Sequence, residues 1–113
     1  MKSILIAGAG KGIGLSIARL LSANNDVWAI TRSKSDELEK TKATIFYGDV
    51  SDVAWLDSLR LPDIIDGLVY CPGSINLKPF GRLTTNDFLL DFEQNVLGAV
   101  RLIQKSIPKF KKK

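Results

Sequence analysis

Residues 4–14 read Ile4-Leu5-Ile6-Ala7-Gly8-Ala9-Gly10-Lys11-Gly12-Ile13-Gly14, a short apolar run followed by spaced glycines. The apolar run predicts a buried strand, and the residues after Gly14 have the period of a helix. In such a strand-to-helix turn, Gly8 allows the tight bend, Gly12 lets the backbone approach phosphates, and Gly14 lets the helix pack on the strand. The helix N-terminus then offers free N–H groups to a dinucleotide pyrophosphate. The alternative is a tight turn that binds no ligand.

The rest of the chain alternates apolar runs with amphipathic stretches. Strands are predicted at residues 4–7, 27–31, 44–47 and 64–71, with helical segments between and after them. This alternation predicts an α/β fold: a Rossmann-type doubly wound parallel sheet of order 3-2-1-4 with helices on both faces. We expect one domain over residues 1–113, with its ligand at the carboxyl ends of strands 1 and 4.

The apolar residues also predict which helix faces are buried. The first helix is expected to bury Ile13, Ile17, Leu20 and Leu21. Ser51 is a candidate cap for a helix burying Val53, Leu56 and Leu59, and Thr84 with Asp87 is a candidate capping box. The last helical region, which runs on or bends, is expected to pack Val96, Val100, Ile103 and Ile107 on the sheet, leaving Leu97 and Leu102 outside.

Composition excludes several classes of function. The net charge is +4, but Lys109, Lys111, Lys112 and Lys113 supply it, so the folded body is neutral. We therefore expect a solvated tail and no nucleic-acid partner, binding to an acidic membrane being the alternative. The chain has no histidine, which removes Ser-His and Cys-His catalysis and the commonest metal ligand, so no metal site is expected. One cysteine and no long apolar run favour a cytoplasmic protein without a membrane span.

Four segments together resemble one family. The glycine loop is similar to the T-G-x-x-x-G-I-G motif of the short-chain dehydrogenase/reductase family, with Ala7 in place of the threonine. Gly48-Asp49-Val50-Ser51-Asp52 resembles the family's D-V-x-D turn. Leu68-Val69-Tyr70-Cys71-Pro72-Gly73 stands where the family has L-V-N-N-A-G, and Gln94-Asn95-Val96-Leu97-Gly98 resembles its helix with an active-site asparagine.

The resemblance implies a set of site residues. Asn95 takes the catalytic asparagine position, which orients a helix bend and a water; the alternative is an ordinary solvent-facing asparagine. Asp49 takes the position that meets the adenine amino group. Cys71 is expected to be a buried strand-end residue, a reactive thiol being the alternative. The cofactor-binding positions are Gly8, Lys11, Gly12, Ile13, Gly14, Arg32, Asp49, Val50, Cys71, Pro72 and Gly73.

Two cations indicate the cofactor. Relatives that bind NAD have an aspartate at the end of strand 2, where this chain has Thr31, and the next residue is Arg32. A guanidinium suits a phosphate, and Lys11 is the second basic position of NADP-preferring relatives. NADP(H) is therefore expected over NAD(H), unless both cations are ordinary surface residues.

The departures from the family concern catalysis. The family's Y-x-x-x-K pair and upstream serine are missing: Tyr47 and Tyr70 are each followed four residues later by a serine. The chain ends about where the family's fifth strand begins. We therefore expect the N-terminal half of an oxidoreductase, which in the family transfers hydride between NADP(H) and a carbonyl or hydroxyl substrate, and expect this half to be incomplete and inactive alone.

Three other interpretations remain: a non-catalytic nucleotide-binding module, a decayed gene fragment, and a methyltransferase-like Rossmann domain. In each, a strand 4 without a fifth strand beside it predicts self-association, through that strand or the last helix.

Overall fold

A computed structural model describes residues 1–73 and 77–110, so the expected lysine tail at 111–113 lies outside the described residues. The main elements, in chain order, are β1 (Ser3–Ala7), α1 (Gly12–Ser22), β2 (Asp26–Thr31), α2 (Asp36–Glu39), β3 (Thr44–Tyr47), α3 (Val53–Ser58), β4 (Gly67–Tyr70), α4 (Thr85–Phe92) and α5 (Gly98–Ser106). A π-helical turn, Glu93–Leu97, joins α4 to α5, and short 3₁₀ turns lie at Phe80–Arg82 and Ile107–Lys109.

All four strands are parallel and lie in the order β3-β2-β1-β4, which confirms the predicted doubly wound, Rossmann-type sheet. At the carboxyl edge Ala7 of β1 lies between Ile30 of β2 and Tyr70 of β4. Strand β4 is shorter than the predicted 64–71. On its outer side Ile65 forms an isolated parallel bridge with Phe110, in which the Ile65 N–H donates to the Lys109 carbonyl at 2.7 Å.

The core has two halves, one on each face of the sheet, because alternate strand residues point to opposite faces. On one face Ile6, Val27 and Ala29 pack with residues of α1 and α2. On the other face Leu5 and Ile30 pack with Leu56 of α3, Leu59 after it, and Leu102 of α5. Helices therefore cover both faces, as a parallel sheet requires.

Helix α1 packs through a different face from the predicted one. Its buried residues are Gly14, Leu15, Ala18 and Ser22. Ile17 and Leu21 are partly buried at the rim of the core, whereas Ile13 and Leu20 are 76% and 77% exposed, so the prediction was wrong for these two. Small residues let the helix axis come close to the sheet, and hydrophobicity alone does not indicate that preference.

The last helix also reverses the predicted face. Val96, Val100, Ile103 and Ile107 were expected to pack on the sheet but are 41–58% exposed, whereas Leu102 is fully buried. The buried positions are Gln94, Gly98, Leu102 and Ser106, spaced by four residues. Ser106 is tolerated there because its hydroxyl donates to the Leu102 carbonyl at 2.7 Å.

Helix caps show one confirmed prediction and one correction. The capping box of α4 is confirmed: the Thr84 hydroxyl accepts from the Asp87 N–H, and the Asp87 carboxylate accepts from the Thr84 N–H. Helix α3 is capped by Asp52, not by Ser51 as predicted, because the Ser51 hydroxyl donates to Asp49 instead. Leu56 and Leu59 are buried as predicted, but Val53 is exposed.

Two further properties concern membranes and metals. Over residues 1–73 and 77–110, none of the helices combines the length and apolarity that crossing a bilayer requires. The same residues contain no cluster of three or more histidine, cysteine or carboxylate side chains that could hold a metal ion.

Candidate functional site

A cleft of about 620 Å³ opens at the carboxyl ends of β1, β2 and β4. Three segments form most of its wall: the glycine loop with the start of α1, the turn from β2 into α2, and the residues that follow β4. The lining residues are Gly8, Gly10, Lys11, Gly12, Ile13, Gly14, Ile30, Thr31, Arg32, Ser33, Lys34, Ser35, Asp36, Glu37, Gly48, Val50, Cys71, Pro72, Gly73 and Gln94. This is where ligands bind in doubly wound sheets.

The glycine loop holds a conformation that only glycine adopts easily. Gly8 and Gly12 have φ of +74° and +60°, the left-handed region that other residues rarely enter. The N–H groups of Gly8 and Ala9 both donate to the Ile30 carbonyl, at 2.9 and 3.1 Å, which fixes the loop to β2. A Cβ at Gly8 would lie 2.6 Å from the Pro72 nitrogen, whereas the Cβ direction of Gly12 is open.

Helix α1 begins in the cleft wall, and no side chain caps its N-terminus. Its N-cap residue, Lys11, has an extended backbone and makes no side-chain capping bond, and its first turn contains no acidic residue. A Cβ at Gly14 would collide with the Gly8 carbonyl, so this glycine brings the helix start against the strand. The first-turn N–H groups and the positive end of the helix dipole are therefore left for an anion.

The turn after β2 supplies the positive charge. Thr31 is buried, and its hydroxyl donates to the Ser33 carbonyl at 2.8 Å, which folds the chain back towards α2. Arg32 and Lys34 stay exposed in the cleft wall, and Ser35 accepts from the Leu38 N–H to cap α2. Asp36 is also in the wall and lies 3.8 Å from Lys34 in an exposed ion pair, whereas among the described residues Arg32 has no such partner.

The residues after β4 form the opposite wall. The Cys71 N–H donates to the Ala7 carbonyl at 3.0 Å, which extends the pairing of β4 with β1 by one residue. Burial raises the pKa of the Cys71 thiol, so the sulfur is protonated at neutral pH. That environment is opposite to the one that activates cysteine nucleophiles.

The π-helical turn closes the cleft beyond β4. Gln94 is buried and lines the cleft, and its carbonyl accepts a 2.7 Å hydrogen bond from the Tyr70 hydroxyl. Burial and the nearby charges of Asp49 and Glu93 raise the pKa of Tyr70 to about 12, so the phenol keeps its proton. Asn95 is exposed and does not line the cleft, but a Cβ at Gly73 would lie 3.0 Å from its Oδ1.

Asp49 lies beside the cleft and is engaged elsewhere. Its Oδ1 accepts from both the N–H and the hydroxyl of Ser51, at 2.9 and 2.8 Å. Asp49 is not among the lining residues, although its neighbour Val50 is buried in the wall. One oxygen of this carboxylate therefore holds the turn after β3, and the contact of Asp49 with an adenine amino group stays a prediction.

The predicted cofactor residues other than Asp49 come together in the cleft wall. The predicted set omits four close neighbours of its own members, which are Gly10, Ile30, Thr31 and Gly48, and it misses two groups entirely: Gln94, and residues 33–37. Residues 33–37 could have been predicted, because in a doubly wound fold the residues after Arg32 must turn from the strand end into the next helix. Gln94 had no such signal, because it lies in the π-helical turn, which the apolar pattern does not predict.

Comparison with known proteins gives a consistent result. The family model described as short chain dehydrogenase matches residues 2–113. A solved short-chain dehydrogenase/reductase from Saccharomyces cerevisiae is similar, with 22% identity and a TM-score of 0.84, over 96% of this chain and 49% of that one. A mutant short-chain dehydrogenase/reductase from Serratia marcescens has 22% identity and a TM-score of 0.83, over 97% of this chain and 51% of that one. No curated protein matches the chain. The chain spans about half the length of these two solved structures.

Proposed function

Since the chain belongs to the short-chain dehydrogenase family, whose members bind nicotinamide dinucleotides, we propose that its cleft binds the adenosine and pyrophosphate part of NADP(H). In this proposal residues 1–113 form a cofactor-binding domain of oxidoreductase type. The cofactor, when bound, supplies the hydride; the residues of this chain bind and orient it.

The observation that supports this proposal most is the start of α1. The N–H groups at the start of α1 have no side-chain cap, and the space beside Gly12, where a Cβ would lie, is empty. Both features lie in the wall of the same cleft. Anions bind at helix N-termini of this kind, because the unpaired N–H groups and the helix dipole both favour negative charge. The cleft therefore fits a pyrophosphate at the glycine loop, with the adenosine between the turn after β2 and the residues that follow β4.

The preference for NADP(H) rests on Arg32. Its exposed guanidinium lies in the wall just after buried Thr31, where an aspartate would favour a free ribose 2′-hydroxyl. A guanidinium can hold a 2′-phosphate with two hydrogen bonds. Lys11, also exposed in the wall, adds a second positive charge.

The test is a titration of the purified chain with NADPH and with NADH. A charge-assisted hydrogen bond contributes about 1.5–3 kcal/mol, so NADPH should bind roughly tenfold or more tightly than NADH. Arg32→Ala should remove most of that difference, whereas Arg60→Ala, an exposed arginine outside the cleft wall, should leave it unchanged. Equal affinities of the unmutated chain for the two nucleotides would contradict the proposed preference.

A second candidate function is nucleotide binding without carbonyl reduction. It is supported by the tyrosines: neither belongs to a Y-x-x-x-K pair, and the Tyr70 hydroxyl donates to the Gln94 carbonyl rather than into open space. A phenol with a pKa of about 12 is a poor proton donor at neutral pH. A clear rate of carbonyl reduction by the purified chain would exclude this second candidate.

A further inference from the structure

The π-helical turn changes the partner of one backbone carbonyl. In an α-helix the Gly98 N–H would donate to the Gln94 carbonyl, four residues earlier. Here the Gly98 N–H donates to the Glu93 carbonyl, five residues earlier. The Gln94 carbonyl instead accepts the Tyr70 hydroxyl at 2.7 Å, so a side chain from β4 takes the place of a helix amide.

Gly98 leaves the room that this hydroxyl needs. A Cβ at Gly98 would collide with the Tyr70 hydroxyl and would lie 3.2 Å from Cγ2 of Val50. Gly98 has an ordinary helical φ, so its backbone conformation does not require glycine. The residue is matched to the tyrosine: the phenol reaches the Gln94 carbonyl only because position 98 has no side chain.

The same turn decides which side chains meet the cleft. Gln94, the second residue of the turn, is buried in the cleft wall, and Oδ1 of Asn95 lies against Gly73. A π-helical turn holds one residue more than an α-helical turn. Restoring the α-helical register would rotate the residues before Gly98 by about 100° relative to those after it, and would carry Gln94 and Asn95 away from these positions.

We propose that Tyr70 is a positioning residue for the nucleotide cleft: its hydroxyl holds the π-helical turn in register and thereby places Gln94 in the cleft wall and Asn95 against Gly73. The effect on binding rests on the proposed function, whereas the effect on register does not. The phenol is suited to this role because it remains a donor throughout the physiological pH range, facing Asp49 and Glu93.

The register can be measured directly by NMR, through scalar couplings across hydrogen bonds in the labelled full chain. In the unmutated protein the Gly98 nitrogen should couple to the Glu93 carbonyl carbon. In Tyr70→Phe, which keeps the ring and removes the donor, this coupling should be replaced by one to Gln94. NADPH affinity should fall about fivefold in the same variant. Retention of the Glu93 coupling in a folded Tyr70→Phe protein would overturn the proposal.

Tyr47→Phe is the matched control, because Tyr47 is the other tyrosine and lies outside the cleft wall at the end of β3. It should change neither the coupling nor the affinity. If the unmutated chain binds no NADPH, the proposed function fails, and the couplings alone then decide whether Tyr70 sets the register.

Gly98→Ala tests the same contact from the other side. On the unmutated chain its methyl group displaces the hydroxyl, so the Glu93 coupling should be lost and the melting temperature should fall. In the Tyr70→Phe background the clash with the hydroxyl is gone and only the 3.2 Å approach to Val50 remains, so the same change should lower the melting temperature less than it does in the unmutated chain. Should Tyr70→Phe not fold, Gly98→Ala alone decides, and a retained Glu93 coupling there would refute the role of Tyr70.

Discussion

Gly12 joins two properties at one position: φ of +60° and an open Cβ direction in the cleft wall. Gly12→Val should therefore abolish nucleotide binding, because a branched side chain would fill the space that the phosphates need. Since a non-glycine residue in the left-handed region costs about 1–2 kcal/mol, the free energy of unfolding should fall by that amount. Nucleotide titration and denaturant unfolding measure the two effects separately.

The control for this prediction is Gly81→Val. Gly81 also has open space around its Cβ direction, but its φ is ordinary and it lies in the 3₁₀ turn outside the cleft wall. Its substitution should leave nucleotide affinity unchanged. Undiminished binding by a folded Gly12→Val variant would show that the glycine loop is structural only.

The protonation of Tyr70 predicts how stability responds to alkali. Its pKa is raised from 10.0 to about 12 in the folded chain, mainly by burial. The folded state therefore keeps the proton up to a higher pH than the unfolded state does. The resulting contribution of Tyr70 to the free energy of unfolding is complete below pH 10 and is lost as pH rises towards 12. The stability difference between the unmutated chain and Tyr70→Phe should shrink over that range.

Urea unfolding of both proteins at about pH 8 and pH 11 measures this change. Tyr47, whose pKa is also raised, is present in both proteins, so its titration cancels in the comparison. A stability difference that is the same at the two pH values would show that the folded state does not retain the Tyr70 proton.

Individual site residues were predictable from the sequence where they directly follow a predicted strand. The glycine loop and Arg32 follow strands directly, so predicting the strands placed them at the cleft. The environment of Asp49 was not predictable, because its carboxylate binds the nearby Ser51 N–H and hydroxyl. Gln94 was missed for a related reason: its carbonyl meets a hydroxyl 24 positions earlier in the chain, a contact that the local sequence pattern does not indicate.

At the scale of elements, α4 depends on its N-terminal cap. Its side chains are mostly exposed and none is buried, so packing contributes little to holding it. Thr84→Ala removes the acceptor for the Asp87 N–H and should lower the free energy of unfolding by about 1 kcal/mol. Thr85→Ala, one residue into the helix, is the matched control and should have a much smaller effect. Equal stabilities of the two variants in urea would contradict this role of the cap.

The helices show what an apolar pattern can and cannot predict. It predicted that the helices exist and left open whether the chain runs on or bends between α4 and α5. It chose the wrong face for α5, and two of the four residues that it chose for α1 are exposed. In α5 the buried face carries Gly98, Leu102 and Ser106, so one large side chain lies between two small ones. A helix that packs close to the sheet favours small residues on its buried face. A prediction from hydrophobicity alone places the branched apolar residues on that face instead.

At the scale of the whole molecule, apolar surface remains uncovered on the last helical region. The exposed apolar residues there are Phe88, Leu89, Leu90, Phe92, Val96, Val100, Ile103 and Ile107. Among the described residues β4 has only the Ile65–Phe110 bridge on its outer side. Contiguous apolar surface and an unpaired strand edge both favour association. We expect the chain to form dimers or larger species in light scattering.

Val100→Asp places a charge on that surface, and it should shift the population towards monomer if the last helix carries the contact. Ile64→Asp, an exposed position outside this helix, is the comparison. A sharp monomer peak from the unmutated chain at high concentration, with slow amide exchange throughout β4, would refute the prediction.

The 113-residue chain should also fail to reduce carbonyl compounds with NADPH above background. The reason is chemical: reduction of a carbonyl needs a proton donor, and neither tyrosine is part of a Y-x-x-x-K pair. Turnover assays over ketones, aldehydes and quinones test this. A clear rate that disappears in Asn95→Ala would show that the chain has catalytic machinery, and would favour the enzyme over the binding module.

The strand order has a consequence for synthesis on the ribosome. β1 is made first but lies inside the sheet, and the partner on one of its sides, β4, follows about 60 residues later. At about 5–20 residues per second, that flank of β1 waits several seconds for its partner, whereas β2, the partner on the other flank, is made soon after β1. During this interval the nascent chain presents the bare edge of Ile4-Leu5-Ile6 to its surroundings. Chaperone contact and misassembly between neighbouring nascent chains should therefore be concentrated in this interval.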